Sequence, residues 1–307
     1  MKHPGWLPSE DHWPDDDGVW HRQRLAVMLR RAAIELRVEL VGEPRFGWRD
    51  RSAGVHVVDS DYGDAWWLRL VGEPAGDDVD VFWDGNTVAG QVLAWPWMPR
   101  VQRSWEYAES DLRFRADLMT YVDEPTVSPN AALTRDPALT EDWWTRLAGA
   151  LALLKTTNTA RVAVEVDRFA SRIGIWAQDL PVSVQRWAPA HADLHWAQLT
   201  TPGCWILDWE GWGMAPAGFD AASLYLHSLA VPTVANQIRA RYAAQLDTRD
   251  GMLSQLYIAG RMLDRGDLDD HPAEKRVFTH AADLLDTLGA ADNPYRAWRS
   301  PVEQMPQ

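Results

Sequence analysis

Apolar residues recur at helical spacing near the start of the chain. Leu25, Met28, Leu29, Ala32, Ala33 and Leu36 fall three or four positions apart, which predicts a helix within residues 18–40. The pattern then changes. Residues 45–54 are polar and charged, and Gly47 and Gly54 sit in and at the end of them, so they read as a loop between strands. Residues 55–58 and 65–71 are rich in β-branched and aromatic side chains and read as strands, with Gly63 and Asp64 at the turn. A short helix is expected near 84–93, ended by Pro96 and Pro99. Two more strands are expected over 100–105 and 112–122. At Glu124-Pro125 the pattern shifts.

Beyond that point the periodicity is mostly helical. Thr140 can cap a helix with Glu141 and Asp142 in its first turn and an apolar stripe of Trp143, Trp144, Leu147, Leu151 and Leu154. A second helix is expected over 164–176. Residues 186–213 then break the pattern. They are rich in Trp and His and hold two strand-like runs, 198–200 and 204–207. Helices resume over 220–229, 234–246, 252–263 and 274–288. The plan is α+β: a strand-rich part over 1–122, a connection about 119–124, and a helical part over 125–307 with a β-ribbon inserted in it.

Composition narrows the class. A chain of 307 residues that is 46% hydrophobic can bury a core in each part. Its net charge is −14, which argues against a general binder of nucleic acid. It suits an acidic soluble enzyme or a cationic small ligand. One cysteine, Cys204, excludes an internal disulfide and a Cys-based zinc site, and fits a reducing compartment. The first residues lack the apolar core of a signal peptide, and no 18-residue apolar run occurs. A cytoplasmic chain that does not cross a membrane is therefore expected. The 19 tryptophans read mainly as packing residues.

The inserted segment holds His191-Ala192-Asp193-Leu194-His195, then Gln198, then Asp208 in Ile206-Leu207-Asp208-Trp209-Glu210, then Asp220 opening a helix. Individually these are ordinary turn and strand-end residues. His191, Asp193 and His195 alternate, and on a strand they would share one face. That permits a transition-metal site and a metal-dependent hydrolase.

In order and spacing, residues 188–229 resemble the catalytic core of the aminoglycoside phosphotransferase family, which is kinase-like. That family carries His-Gly-Asp, an Asn five residues after the Asp, a second Asp in an Ile-Asp-Trp or Ile-Asp-Phe context, and a third Asp at the next helix start. The resemblance implies a two-lobe, protein-kinase-like fold with a nucleotide-binding N-terminal lobe. It implies transfer of the terminal phosphoryl group of ATP or GTP to a hydroxyl of a small molecule, such as an aminoglycoside or another antibiotic, with Mg²⁺. Asp193 would orient the acceptor hydroxyl and take its proton. Asp208 and Gln198 would hold the metal through oxygen atoms. His191 and Asp220 would be structural, Asp220 bonding the catalytic-loop backbone and capping its helix.

The remaining expectations are looser. Arg69 stands where the family has a phosphate-contacting Lys; alone it reads as a solvated strand residue. Its acidic partner would be Asp80 or Asp84. Gly47, Ser52 and Gly54 would cover phosphates with backbone N–H groups, and Met119 and Tyr121 would face the nucleotide base. Glu210, Trp209 and Trp212 would border the acceptor, and Asp264 and Asp267 would meet a cationic one. Ala192 for Gly, Gln198 for Asn and Arg69 for Lys depart from the family pattern. They admit a kinase-shaped protein that binds without transferring.

Overall fold

The computed structural model describes residues 18–47, 50–75, 81–109, 112–266, 268–269, 271–291, 293 and 295. The chain divides into two units. One runs up to Ala94 and includes Met98–Asp123; the other is Trp95–Trp97 with the chain from Glu124 onward. The fold class is α+β, strand-rich in the first unit and mainly helical in the second.

In the first unit, α1 (Gly18–Leu36) precedes β1 (Val38–Phe46), β2 (Ser52–Asp59) and β3 (Ala65–Pro74). Then come α2 (Gly85–Val92), β4 (Val101–Glu109) and β5 (Leu112–Thr120). The five strands form one antiparallel sheet in the order β1-β2-β3-β5-β4. The apolar stripe of α1 lies in one core with Val38, Val55, Val57, Leu68, Leu70, Phe114, Ala116 and Leu118. Each Val, Leu, Met or Phe side chain among them contributes about 1.5–3 kcal/mol when removed from water.

Two expectations need correction here. The helix ends at Leu36 rather than near residue 40. Arg37 reverses the backbone at φ 56°, and the following residues pair with β2. The loop is also shorter, because Arg45 and Phe46 close β1 and Ser52–Gly54 open β2. A run of polar residues cannot reveal a strand whose partner is distant in sequence.

The sheet's second face is charged and largely buried. Alternation places Arg69 and Glu73 of β3 on the face that also carries Arg113, Arg115 and Asp117 of β5. The register sets Arg69 opposite Asp117 and Glu73 opposite Arg113. Glu73 and Arg113 form an ion pair. Asp117 accepts from Arg115 Nε at 2.9 Å and Ser104 Oγ at 2.7 Å, and α2 adds Thr87 Oγ1, which accepts from Arg115 at 2.8 Å. Buried charges persist only where they are paired and hydrogen-bonded, and the strand register brings these partners together.

The second unit contains α3 (Glu141–Lys155), α4 (Val166–Gly174), β6 (Trp187–Ala190) and β7 (Gly213–Pro216). It continues with α5 (Phe219–Leu226), α6 (Pro232–Leu246), α7 (Arg249–Arg265) and α8 (Glu274–Leu288). Thr140 caps α3, its Oγ1 accepting the Trp143 N–H at 3.2 Å. Trp143 stacks on Trp196 and meets Trp144 edge-on, so these tryptophans are core. The ribbon is β6 paired antiparallel with β7. The runs 198–200 and 204–207 meet in a single bridge, Leu199 to Ile206, and Thr200 bridges to Thr126. Among the described residues, no helix is long and apolar enough to cross a membrane.

Candidate functional site

β6 delivers the chain to His191, and two aspartates hold the segment around it. Asp250, in the first turn of α7, accepts the N–H groups of Gln185 and Arg186, both at 2.9 Å. Asp220, in the first turn of α5, accepts those of His191 at 2.9 Å and Ala192 at 3.0 Å. Burial pushes the Asp220 carboxyl up, while His191 and the two N–H groups pull it back. Asp220 thus bonds the loop backbone as expected, but it makes no side-chain cap. The N-cap is Gly218, at φ 95°. Sequence reading missed Asp250; an Asp one residue inside a helix start was its only signal.

His191 is fully buried and links two segments. Its Nε2 lies 2.8 Å from the Leu207 carbonyl, which can only accept, so Nε2 carries the proton. Nδ1 then accepts the Asp193 N–H at 3.4 Å. The ring also meets Trp209 edge-on at 4.8 Å. His191 therefore ties the Asp193 loop to the residue preceding Asp208. At Asp208 the backbone turns to φ 57°, and its Oδ2 accepts from Gln198 Nε2 at 3.0 Å. The Leu207 N–H donates to the Gln198 carbonyl at 2.8 Å. The side chains expected to share a metal are in direct contact.

The reading of His191, Asp193 and His195 as a metal site does not hold. Among the described residues, no group of three His, Cys, Asp or Glu side chains could hold a metal. The segment is not a strand, and Ala192 at φ 68° breaks the alternation that would align the three. Both ring nitrogens of His191 are already engaged by backbone.

Asp193 is held by α7. Its Oδ1 accepts from Arg261 Nη2 and Arg265 Nη1, both at 2.8 Å, and Arg261 Nη1 donates to the Ala192 carbonyl at 2.7 Å. Burial alone would raise the Asp193 carboxyl, but the Arg265 and Arg261 guanidiniums hold it well below the usual range. Arginines four apart share one helix face, which is the only sequence signal for this pair. His195 Nε2 lies 3.9 Å from Asp193 Oδ2, and its Nδ1 is buried without a hydrogen-bond partner. Burial pushes His195 down to about 3, so the ring is neutral.

The acceptor-bordering expectations fare less well. Trp209 and Trp212 are buried, at 2% and 0% exposure, and serve as packing. Trp209 Nε1 donates to the Ile206 carbonyl at 2.8 Å, and Arg161 lies over the Trp212 ring. The Glu210 carbonyl accepts from Arg161 at 3.2 Å. Asp264 pairs with Arg172 at 2.6 Å instead of presenting a bare acid. Asp267 lies outside the described residues.

In the first unit, Arg69 is 7% exposed, so it is not a solvated strand residue. The acid opposite it is Asp117, across the β3–β5 pair. Asp84 stands at the N-cap of α2, and Asp80 lies outside the described residues. Gly54 is inside β2, where a Cβ would come within 2.3 Å of the Trp67 ring. The absent side chain accommodates Trp67, and Gly54 does not offer a loop N–H. Gly47 and Ser52 close a hairpin, the Gly47 N–H donating to the Ser52 carbonyl at 2.9 Å. Met119 lies in the sheet, paired with Trp67 and Val101. Tyr121, just beyond β5, stacks on His56 with centroids 4.2 Å apart.

No family model matches the chain, and no curated protein does. Among solved structures, the chain is similar to spectinomycin phosphotransferase APH(9)-Ia, crystallised with ADP and spectinomycin. The match covers 90% of each chain at 10% identity, with a TM-score of 0.48.

Proposed function

We propose that the chain is a small-molecule phosphotransferase, moving the terminal phosphoryl group of ATP or GTP to an acceptor hydroxyl. The observation that carries this reading is the His191 bridge. One ring accepts the Asp193 N–H and donates to the Leu207 carbonyl, so the Asp193 carboxylate and the hydrogen-bonded Asp208–Gln198 side chains sit on tied segments. Phosphoryl transfer requires this kind of positioned charge more than covalent chemistry. Asp193 would orient the acceptor hydroxyl and receive its proton. The donor set suits Mg²⁺, which prefers carboxylate and amide oxygens. Asp208 and Gln198, its amide turned, would hold that ion, and its chemistry there is neutralisation of phosphate charge. Arg69 and the strands around it would supply the nucleotide contacts.

A second reading is a kinase-shaped protein that binds nucleotide without transferring. One arrangement favours it: Asp193 is neutralised by Arg261 and Arg265, which makes it a weak proton acceptor. Calorimetric titration with ATP and GTP, each with and without Mg²⁺, followed by turnover with hydroxyl acceptors, tests both. Mg²⁺-dependent binding with turnover is the expected result. Binding without turnover selects the second reading, and no binding removes both.

A further inference from the structure

Gln198 and Asp208 stand at the open end of a chain reversal. The Leu207 N–H donates to the Gln198 carbonyl at 2.8 Å, and the Thr200 N–H to the Trp205 carbonyl at 3.1 Å. Between these bonds Leu199 bridges to Ile206. The hairpin 198–207 therefore sets how the two side chains meet. Its closed end is fastened by a carboxylate distant in sequence. Glu124 Oε2 accepts from Thr200 Oγ1 at 2.8 Å and from the Gly203 N–H at 2.9 Å. Thr200 Oγ1 accepts in turn from the Trp205 N–H at 2.9 Å. One hydroxyl thus joins both arms of the hairpin to Glu124, and Thr200 is fully buried. Gly203 makes room for the carboxylate, since a Cβ there would lie 2.2 Å from Glu124 Oε1. The chain after Glu124 runs beside the first arm. Thr126 bridges to Thr200, and the Val127 N–H donates to the Leu199 carbonyl at 2.7 Å.

We propose that Glu124 is a positioning residue for the Asp208–Gln198 pair, acting through the hairpin whose closed end it fastens. Backbone carbonyls alone could close such a turn. Hydrogen bonds to a carboxylate are about twice as strong as neutral ones, so this end is held more firmly than turn formation requires. A short hairpin carries that constraint to its open end, because its cross-strand bonds fix the spacing of the arms. Groups that hold ligand side chains in place tune the affinity of a cation site almost as strongly as the ligands do. The metal role of the pair rests on the phosphotransfer reading; the fastening by Glu124 does not.

Two measurements on the full chain test this. Calorimetry gives ATP and GTP affinity with and without Mg²⁺, and hydrogen exchange over 198–208, without metal or nucleotide, reads the hairpin directly. Glu124→Gln should lower the affinity measured with Mg²⁺ roughly tenfold, the low end for losing the support of a ligand side chain. It should leave Mg²⁺-free affinity unchanged and speed exchange of the Leu207 N–H. Thr200→Val removes the joining hydroxyl and should reproduce these effects, which keeps the test decisive if Glu124→Gln does not fold. Thr200→Ser should restore parental behaviour. Thr248→Ala removes the Oγ1 that caps α7 and, as the control, should alter neither readout. Equal loss with and without Mg²⁺, or no loss, would overturn the positioning role. If the parent chain shows no Mg²⁺-dependent nucleotide binding, the phosphotransfer reading falls and exchange alone decides. Faster exchange in Glu124→Gln then sustains the role of Glu124 in holding the pair, and unchanged exchange removes it.

Discussion

Asp220 accepts the N–H of Ala192 at 3.0 Å while Ala192 holds a left-handed backbone at φ 68°. The carboxylate fixes the loop in a conformation that a Cβ disfavours. Ala192→Gly should therefore stabilise the protein by roughly 0.5–1 kcal/mol, the steric gain less the entropy glycine loses on folding. Urea midpoints at constant m-value would measure it. A midpoint shifted to lower urea would mean that the turn is not strained.

Asp220→Asn and Asp250→Asn each remove charge from a carboxylate that holds two backbone N–H groups. Each should cost about 2–4 kcal/mol, the scale for disturbing a buried charged acceptor. Only Asp220→Asn touches the Asp193 loop directly. It should also lower any turnover, whereas folded Asp250→Asn should retain it. Equal loss of turnover in both variants would show that the two aspartates act as one structural unit.

Stability should fall as the medium is acidified below pH 6.5, and His195 should account for one proton of that dependence. Its folded ring titrates near 3 because of burial, against 6.5 ordinarily. Between those values the unfolded chain binds the extra proton. The contribution is complete above pH 6.5 and lost as pH falls toward 3, amounting to about 2 kcal/mol at pH 5. His280, pushed down to about 4 by burial, acts in the same direction. Asp220, pushed up, acts in the opposite one. Comparing His195→Gln with the parent at pH 7 and pH 5 isolates the single residue. An unchanged pH slope would place His195 in contact with water.

Gly54→Ala should destabilise the first unit by about 1–3 kcal/mol, since the new methyl would force the Trp67 ring out of its place. Trp67 fluorescence and the unfolding midpoint should change together. A neutral outcome would show that the indole can turn aside at little cost.

Asp193→Asn should abolish transfer and leave Mg²⁺-nucleotide binding largely intact, while Asp208→Ala should weaken that binding itself. Gln198→Asn shortens the side chain that reaches Asp208, and its nucleotide affinity reports whether the amide is a ligand or only a brace. Full turnover in Asp193→Asn would remove this carboxylate from the mechanism.

Local periodicity carried much of the fold. The α1 stripe, the Thr140 cap, the strands at β3 and β5 and the helices α5 to α8 are written in nearest-neighbour spacing, which short-range sterics and burial enforce. β1 was not legible, because its pairing with β2 is a tertiary fact. The order of His191, Asp193, Gln198, Asp208 and Asp220 pointed to one site. It could not say that His191 would spend both ring nitrogens on backbone, which is what excludes a metal there.

The tertiary structure alone decided which charges meet. Arg69 faces Asp117 because two antiparallel strands adopt one register. Arg261 and Arg265 reach Asp193 across some seventy positions because α7 packs beside the loop, and Arg172 takes Asp264 by the same kind of accident of packing. Sequence determines which residues are hydrophobic and which can ionise. Coulomb and hydrogen-bond energies depend on distances of a few ångströms, and those distances exist only once the helices and strands have packed.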